Sequence, residues 1–419
     1  MRATVSSGRA FARSIALRRG EAALGLALAI ILGIWAYVAF NDPAPLDTGL
    51  AYEGGQAARA TGRPEALATW ISLPLLAVVM GLVSLLVSVE TAATLLTVLN
   101  LVTVLALLAG VWLALRPRLP LWAWWVSLAA AVCFAPMVSS LWWKQFNIIA
   151  LALAVLGFWL IRRKRPGWAA AAIAVSICIK PIVLLLPLVL LLSRDSRRAG
   201  LYVVVAVGAI LIASQGVLAI WAGELAALNP LPALSNFSMK SQPANIWACQ
   251  FENFAPGSTV CRLSGGDDWN VVRAVVLGGV ALMAVLFIDL LRGLPGRAWE
   301  PFALACVLSP MVSPIAWSHY QILLAPLLLV LFVDFVRRGA GISSWLLLSA
   351  GYALAMLFWQ PYGSLPGWVR ERVIGVEEPQ RILIAVAGVA QFAQYVLLMT
   401  AAVWFARRAA SQPAHATVR

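Results

Sequence analysis

The sequence predicts an all-α polytopic integral membrane protein, and three observations carry that prediction. The 419-residue chain is 62% hydrophobic and 11% charged, with a mean hydropathy of +0.88, which excludes a soluble globular protein. Apolar runs recur at 22–40, 91–115, 119–138, 146–161, 200–221, 271–291, 342–359 and 382–406, most of them near the roughly 20 residues that a spanning helix needs. Basic residues fall in short clusters between these runs: Arg162 to Arg165, Arg194 with Arg197 and Arg198, Arg292 with Arg297, Arg337 with Arg338, and Arg407 with Arg408. That is the positive-inside pattern. It assigns the net charge of +14 to topology and not to nucleic acid, whose readers gather their charge on one face or domain.

The first run follows Arg2, Arg9, Arg13, Arg18 and Arg19 and lacks a small-residue cleavage site, so it reads as an anchor with a cytoplasmic N-terminus. With every basic cluster cytoplasmic, residues 41–68, 223–270 and 360–381 lie outside, 408–419 form a cytoplasmic tail, and 1–419 make one membrane domain. Residues 166–193 and 298–336 begin and end at basic clusters, so each crosses an even number of times. The first suits a half-depth hairpin around Lys180 and Pro181, where proline interrupts the helix. The second suits two short helices turning near 313–319.

Residues 69–161 hold four apolar stretches yet must cross an odd number of times. The simplest solution makes 70–87 re-entrant or interfacial, with a break at Leu73 and Pro74. Glu90 and the group Lys144, Gln145 and Asn147 then lie outside, and Arg116 and Arg118 inside. A hairpin elsewhere would instead put Glu90 on the cytoplasmic side. The total comes to about 11–13 membrane helices, short ones included. Of five cysteines, Cys133, Cys178 and Cys306 sit in apolar runs as small hydrophobes. Cys249 and Cys261 share the large external loop, either bridged or as two free thiols.

The polar residues on the outer side carry the chemistry. Asp47 opens a stretch that forms a short interfacial helix, with Leu50, Ala51 and Ala57 toward the membrane. It is either that helix's N-cap or a carboxylate that takes a proton from an acceptor hydroxyl. Lys144, Gln145 and Asn147 begin a span beside Trp142 and Trp143; they read as a snorkelling lysine with capping amides, or as groups that hold a phosphate or sugar hydroxyls. Lys180 lies in an apolar segment far from either basic flank, where a charge marks a functional or paired site. His319, one of two histidines, stands between Trp317 and Tyr320 in an irregular turn punctuated by Pro310 and Pro314. Such backbone lines a cavity or is buried in protein, and a histidine there either bonds a neighbouring backbone carbonyl at the interface or donates to a lipid phosphate and assists its departure. No Walker-type loop, metal-spaced His/Cys cluster or G-x-S-x-G elbow is present, and Asp267 and Asp268 read as a solvated turn. Neither metal nor cofactor is therefore expected, and an energy-rich substrate would arrive as a lipid-linked donor.

These residues resemble glycosyltransferase family 87, polytopic enzymes of GT-C architecture that use polyprenyl-phosphate sugars and include actinobacterial α-1,2-mannosyltransferases. Four patches over roughly 40–340 carry the likeness: Asp47 with Tyr52, Gly55 and Gly62; KQFN, with Lys144 where the family has glycine; the Ala-rich helix ending in Lys180 and Pro181; and SPIAWSH, with Ala316 for a serine and Tyr320 where a second histidine is common. Asn236 with Ser238 fits more weakly. The resemblance implies that Asp47 is the general base and that His319 contacts the donor phosphate, which Lys180 or Lys144 neutralises. Gln145 and Asn147 shape the site, with Trp317, Tyr320, Tyr52 and Asn236 as further substrate contacts. It implies inverting transfer of a hexose, mannose by the family, from a polyprenyl-phosphate sugar to a glycolipid or glycan acceptor. The place implied is the outer face of a bacterial cytoplasmic membrane, among membrane lipids. Two rivals remain: a transporter or flippase of lipid-linked sugar, and a glycan ligase or polymerase using a polyprenyl-diphosphate donor.

Overall fold

The computed structural model describes residues 3–41, 46–64, 72–192, 196–224, 228–229, 278, 299–312 and 318–357. Every element among them is helical: α1 (Ala3–Asn41), α2 (Leu46–Thr61), α3 (Pro74–Leu86), α4 (Val89–Leu115), α5 (Leu121–Val132), α6 (Ala135–Trp142), α7 (Asn147–Arg162), α8 (Pro166–Ile179), α9 (Leu186–Leu192), α10 (Arg197–Ala222), α11 (Trp299–Val312), α12 (Ala325–Arg338) and α13 (Ile342–Leu357). Two 3-10 segments, Pro181–Val183 and Ser318–Leu324, complete the described chain. The large external loop expected at 223–270, with Cys249 and Cys261, falls almost wholly outside these residues, as does the 408–419 tail.

Among the described residues five stretches are long and apolar enough to cross a membrane, and the pair Pro166–Ile179 and Pro181–Leu192 adds a sixth if its bent halves count as one span. The protein is thus an all-α, multi-pass membrane protein. Only 11% of the apolar windows in α1 and α4 is buried inside the molecule, so Leu26, Ile30, Leu95, Leu99 and Val102 face outward, where lipid is the natural solvent. The segment expected to span at 119–138 is one of the five, Leu121–Trp142, interrupted where α5 stops at Val132 and α6 begins after Phe134, with Pro136 in its first turn. The missing proline N–H makes that break inexpensive at a helix start.

Hydrophobic burial does little to join helices that are already in lipid, so close packing and internal polar contacts must hold them. α2 shows how. Residues 46–61 are too polar to cross and lie instead against α3, with Ala51, Tyr52 and Ala58 buried. Ala51 therefore faces protein, not the membrane as expected from sequence. A Cβ on Gly55 would strike the backbone of Met80 and Gly81, and one on Gly81 would strike Trp221 and the Gly55 carbonyl. Only glycine at both positions lets the two helices approach this closely. The Tyr52 hydroxyl donates to the Val87 carbonyl at 2.8 Å, tying α2 to the turn into α4. The expected element at 70–87 takes the form of a 13-residue helix with Leu73 extended ahead of Pro74, the conformation a residue before proline prefers.

The main core gathers α6 to α9, α11, α12 and the 3-10 segment Ser318–Leu324. α11 lies at its centre: Phe302 through Leu308 are all buried, and Phe302 stacks on Phe158 of α7 with ring centres 4.9 Å apart. The expected hairpin at 166–193 turns by 113° at Lys180 and Pro181. Backbone polar groups freed by such a break need partners at membrane depth. Ser309 of α11 supplies one, accepting from the Leu185 N–H at 3.3 Å while donating to Ala305 at 2.9 Å.

Candidate active site around Lys180

Lys180 owes its position to the residue that follows it. Pro181 excludes helical backbone at the preceding residue, and Lys180 is extended at φ −148° and ψ 111°. α8 therefore ends at Ile179, and the lysine side chain leaves the helix axis at the bend. It is buried. Its Nζ donates to Gln145 Oε1 at 3.0 Å and stands 5.4 Å from the centre of the Tyr320 ring, within cation–π range.

Gln145 arrives there through the way α6 ends. Lys144 has φ +49°, the Lys144 N–H donates to the Leu141 carbonyl at 3.1 Å, and the Gln145 N–H donates to Ser140 at 2.9 Å. This pair of bonds, with a left-handed residue between helix and exit, is the Schellman termination. Glycine is favoured at the left-handed position because it lacks a Cβ. The lysine occupies it with its side chain buried. Phe146 then caps α7, and Asn147, fully buried, is its first residue.

Two side chains from distant elements hold this turn. Thr48 Oγ1 donates to the Lys144 carbonyl at 2.9 Å, and Asn100 Nδ2 donates to the Gln145 carbonyl at 2.9 Å. Sequence reasoning missed both. Asn100, an amide midway along an apolar helix, carried a legible signal, since polar groups at membrane depth are costly. Thr48 carried none.

Asp47 precedes Thr48 in the first turn of α2, outside any spanning stretch. Burial pushes its carboxyl up to about 6, and the Lys180 ammonium pulls it partly back. Both charges also reach the Tyr320 hydroxyl. The structure thus brings Asp47, Lys144, Gln145, Asn147, Lys180 and Tyr320 to one region, from α2, the α6–α7 turn, the α8 break and the 3-10 segment. Tyr52 lies apart, in the α2–α3 packing with its hydroxyl on Val87. His319 belongs to the 3-10 segment by its backbone, while its side chain, Trp317 and Asn236 fall outside the described residues. Among the described residues no three or more His, Cys, Asp or Glu come together as metal ligands do.

The sequence matches glycosyltransferase family 87 over residues 70–314, more than half of the chain. It belongs to that family. The matched interval holds Asn100, Lys144, Gln145, Asn147 and Lys180, and leaves Asp47 and His319 outside it, one before and one after. The chain is also 25% identical over 307 residues to a polyprenol-phosphate-mannose-dependent alpha-(1-2)-phosphatidylinositol mannoside mannosyltransferase of Mycobacterium tuberculosis, covering 71% of this chain and 65% of the relative. The chain therefore spans slightly less than two thirds of that relative's length. No solved structure matches it. Family membership and the apolar helices together make this protein a multi-pass membrane member of glycosyltransferase family 87.

Proposed function

We propose that this glycosyltransferase moves a hexose, mannose by analogy with the mycobacterial relative, from a polyprenyl-phosphate donor to a hydroxyl of a glycolipid or glycan acceptor at the outer face of the cytoplasmic membrane. The observation that carries the reading is the meeting of a buried ammonium, Lys180, with a single carboxylate held near neutrality, Asp47. A sugar–phosphate displacement calls for those two charges. The acceptor oxygen loses its proton to Asp47 and attacks the anomeric carbon, and the bond from that carbon to the phosphate oxygen breaks. The electron pair leaves with the lipid phosphate, whose added charge Lys180 offsets. In-line attack inverts the anomeric centre. His319, in the turn that also carries Tyr320, is assigned to the phosphate, and Gln145 and Asn147 to oxygens of the donor. Trp317 and Asn236 enter this reading from sequence alone.

The test is transfer of radiolabelled mannose from polyprenyl-phosphate mannose to a lipid acceptor fraction by the purified protein, with Asp47→Asn beside it. Transfer by the wild type alone supports donor class and base together. An active Asp47→Asn removes the base assignment. Silence of the wild type with mannose and other polyprenyl-phosphate sugars removes the donor assignment.

A further inference from the structure

We propose that Thr48 and Asn100 are positioning residues for the donor site, holding the Lys144–Gln145 turn so that the Gln145 carboxamide presents its NH2 group to an oxygen of the bound lipid-phosphate sugar. The inference rests on the reading above that Lys180 and Gln145 receive that donor.

A Schellman termination satisfies the last carbonyls of its helix but leaves those of the two residues at the exit pointing away from the helix axis. Here they are the carbonyls of Lys144 and Gln145, and each receives a side-chain donor from far along the chain. Thr48 reaches across 96 positions and Asn100 across 45. Both donors are buried, at 1% and 0% exposure, so water does not compete for these bonds. Two successive carbonyls fixed from two directions, α2 and α4, leave the turn one orientation. That orientation delivers Gln145 Oε1 to Lys180 at 3.0 Å.

The consequence for a ligand lies in the other half of the carboxamide. With its oxygen committed to an ammonium, Gln145 must direct Nε2 elsewhere. Gln145 is 0% exposed, yet among the described residues Nε2 makes no hydrogen bond, and Asn100 Oδ1 likewise makes none. A buried polar atom without a partner is costly, so a protein that keeps a donor in this state on the carboxamide that holds a buried lysine, and an acceptor on the amide that holds the Gln145 backbone, has a ligand to meet them. The chemistry that suits is oxygen-rich: an anionic phosphate oxygen for Nε2, or a sugar hydroxyl, which both accepts and donates. Thr48 and Asn100 touch the turn and not the reacting atoms, and they act through Gln145.

The experiment uses the full-length protein in detergent or nanodiscs, with Thr48→Val, Asn100→Leu and the conservative Thr48→Ser. Donor KM and kcat are measured with polyprenyl-phosphate mannose, and hydrogen exchange is followed across 141–148. Loss of either bond should raise donor KM about tenfold while kcat stays within about twofold. Exchange in 141–148 should quicken in Thr48→Val and Asn100→Leu, and Thr48→Ser should match the wild type in both readouts. Unchanged KM in the Val and Leu variants overturns the proposal. So does a fall in melting temperature with kcat and KM altered alike and no rescue by serine. If the wild type transfers no sugar from any lipid-phosphate donor, the donor assignment fails by itself, and the exchange data decide the clamp: quickening in Val and Leu but not Ser supports it, and unaltered exchange refutes it.

Discussion

Lys180 Nζ and Gln145 Oε1 lie 3.0 Å apart, although one residue ends a helix at a proline break and the other leaves a helix through a left-handed turn. The contact joins the two irregular pieces of backbone into one buried polar site. Neither residue has a local reason to hold the other; the packing of α7, which follows Gln145, against α8, which precedes Lys180, brings them together.

Removing the ammonium tests its place in the chemistry. Lys180→Met keeps the stem and deletes the charge proposed to face the departing phosphate, so kcat/KM should fall by about a hundredfold or more. Initial rates with saturating acceptor would show it. Wild-type rates in this variant would return Lys180 to a packing role.

As the proposed base, Asp47 should set the pH dependence. A base works ionised, so kcat/KM should rise with a midpoint near the carboxyl's value of about 6 and level off above it. Because the Lys180 charge lowers that value, the residual activity of Lys180→Met should show its midpoint displaced to higher pH. A profile flat from pH 5 to 8 would contradict the assignment.

The same shift has a stability consequence. The folded value lies above the ordinary carboxyl value of 3.8, so the native state holds this proton more tightly than the unfolded chain does. The stabilisation is present at acid pH and lost as pH rises through about 6. Asp47→Asn should therefore melt higher than the wild type near pH 8 and level with it near pH 4, while losing transfer. Thermal scans at the two pH values measure the difference.

The α2–α3 contact should tolerate no side chain. Gly55→Ala would press a methyl group into the backbone of Met80 and Gly81, at a cost of about 1–3 kcal/mol, and would move α2 with Asp47 and Thr48 on it. Gly33→Ala, with open space around it, is the control and should leave melting and rates unchanged.

A second left-handed lysine offers a gain. Lys164 has φ +57° at the end of α7, where Arg165 donates to the Leu160 carbonyl at 3.0 Å in the same termination as at α6. Lys164 is exposed, so Lys164→Gly relieves the backbone without opening a core and should raise stability by about 0.5–1 kcal/mol. A lower melting temperature would show that the lysine side chain contributes more than its strain costs.

Much of the fold was legible because membrane helices obey local rules. Hydropathy placed α1, α4, α7, α10 and α13, and Pro181 announced the bend that the chain makes at 113°. Lys180 stood out as a charge in an apolar segment, and KQFN as a polar helix start. The break of α5 from α6 at Phe134 and the inward turn of Ala51 were not legible, since each depends on which neighbour a face meets.

By itself, then, the sequence determined where the chain is helical, which segments suit lipid, and that Lys180 required a partner. These follow from the cost of unpaired polar groups and from the backbone limits that proline imposes, both of which act over a few residues. Only the tertiary structure decided that the partner is Gln145, 35 positions away, that Asp47 shares the same field, and that Thr48 and Asn100 hold the turn between them. A hydroxyl in a first helical turn and an amide in a spanning helix read alike wherever they occur. What distinguishes these two is the carbonyl each one reaches, and packing alone sets that.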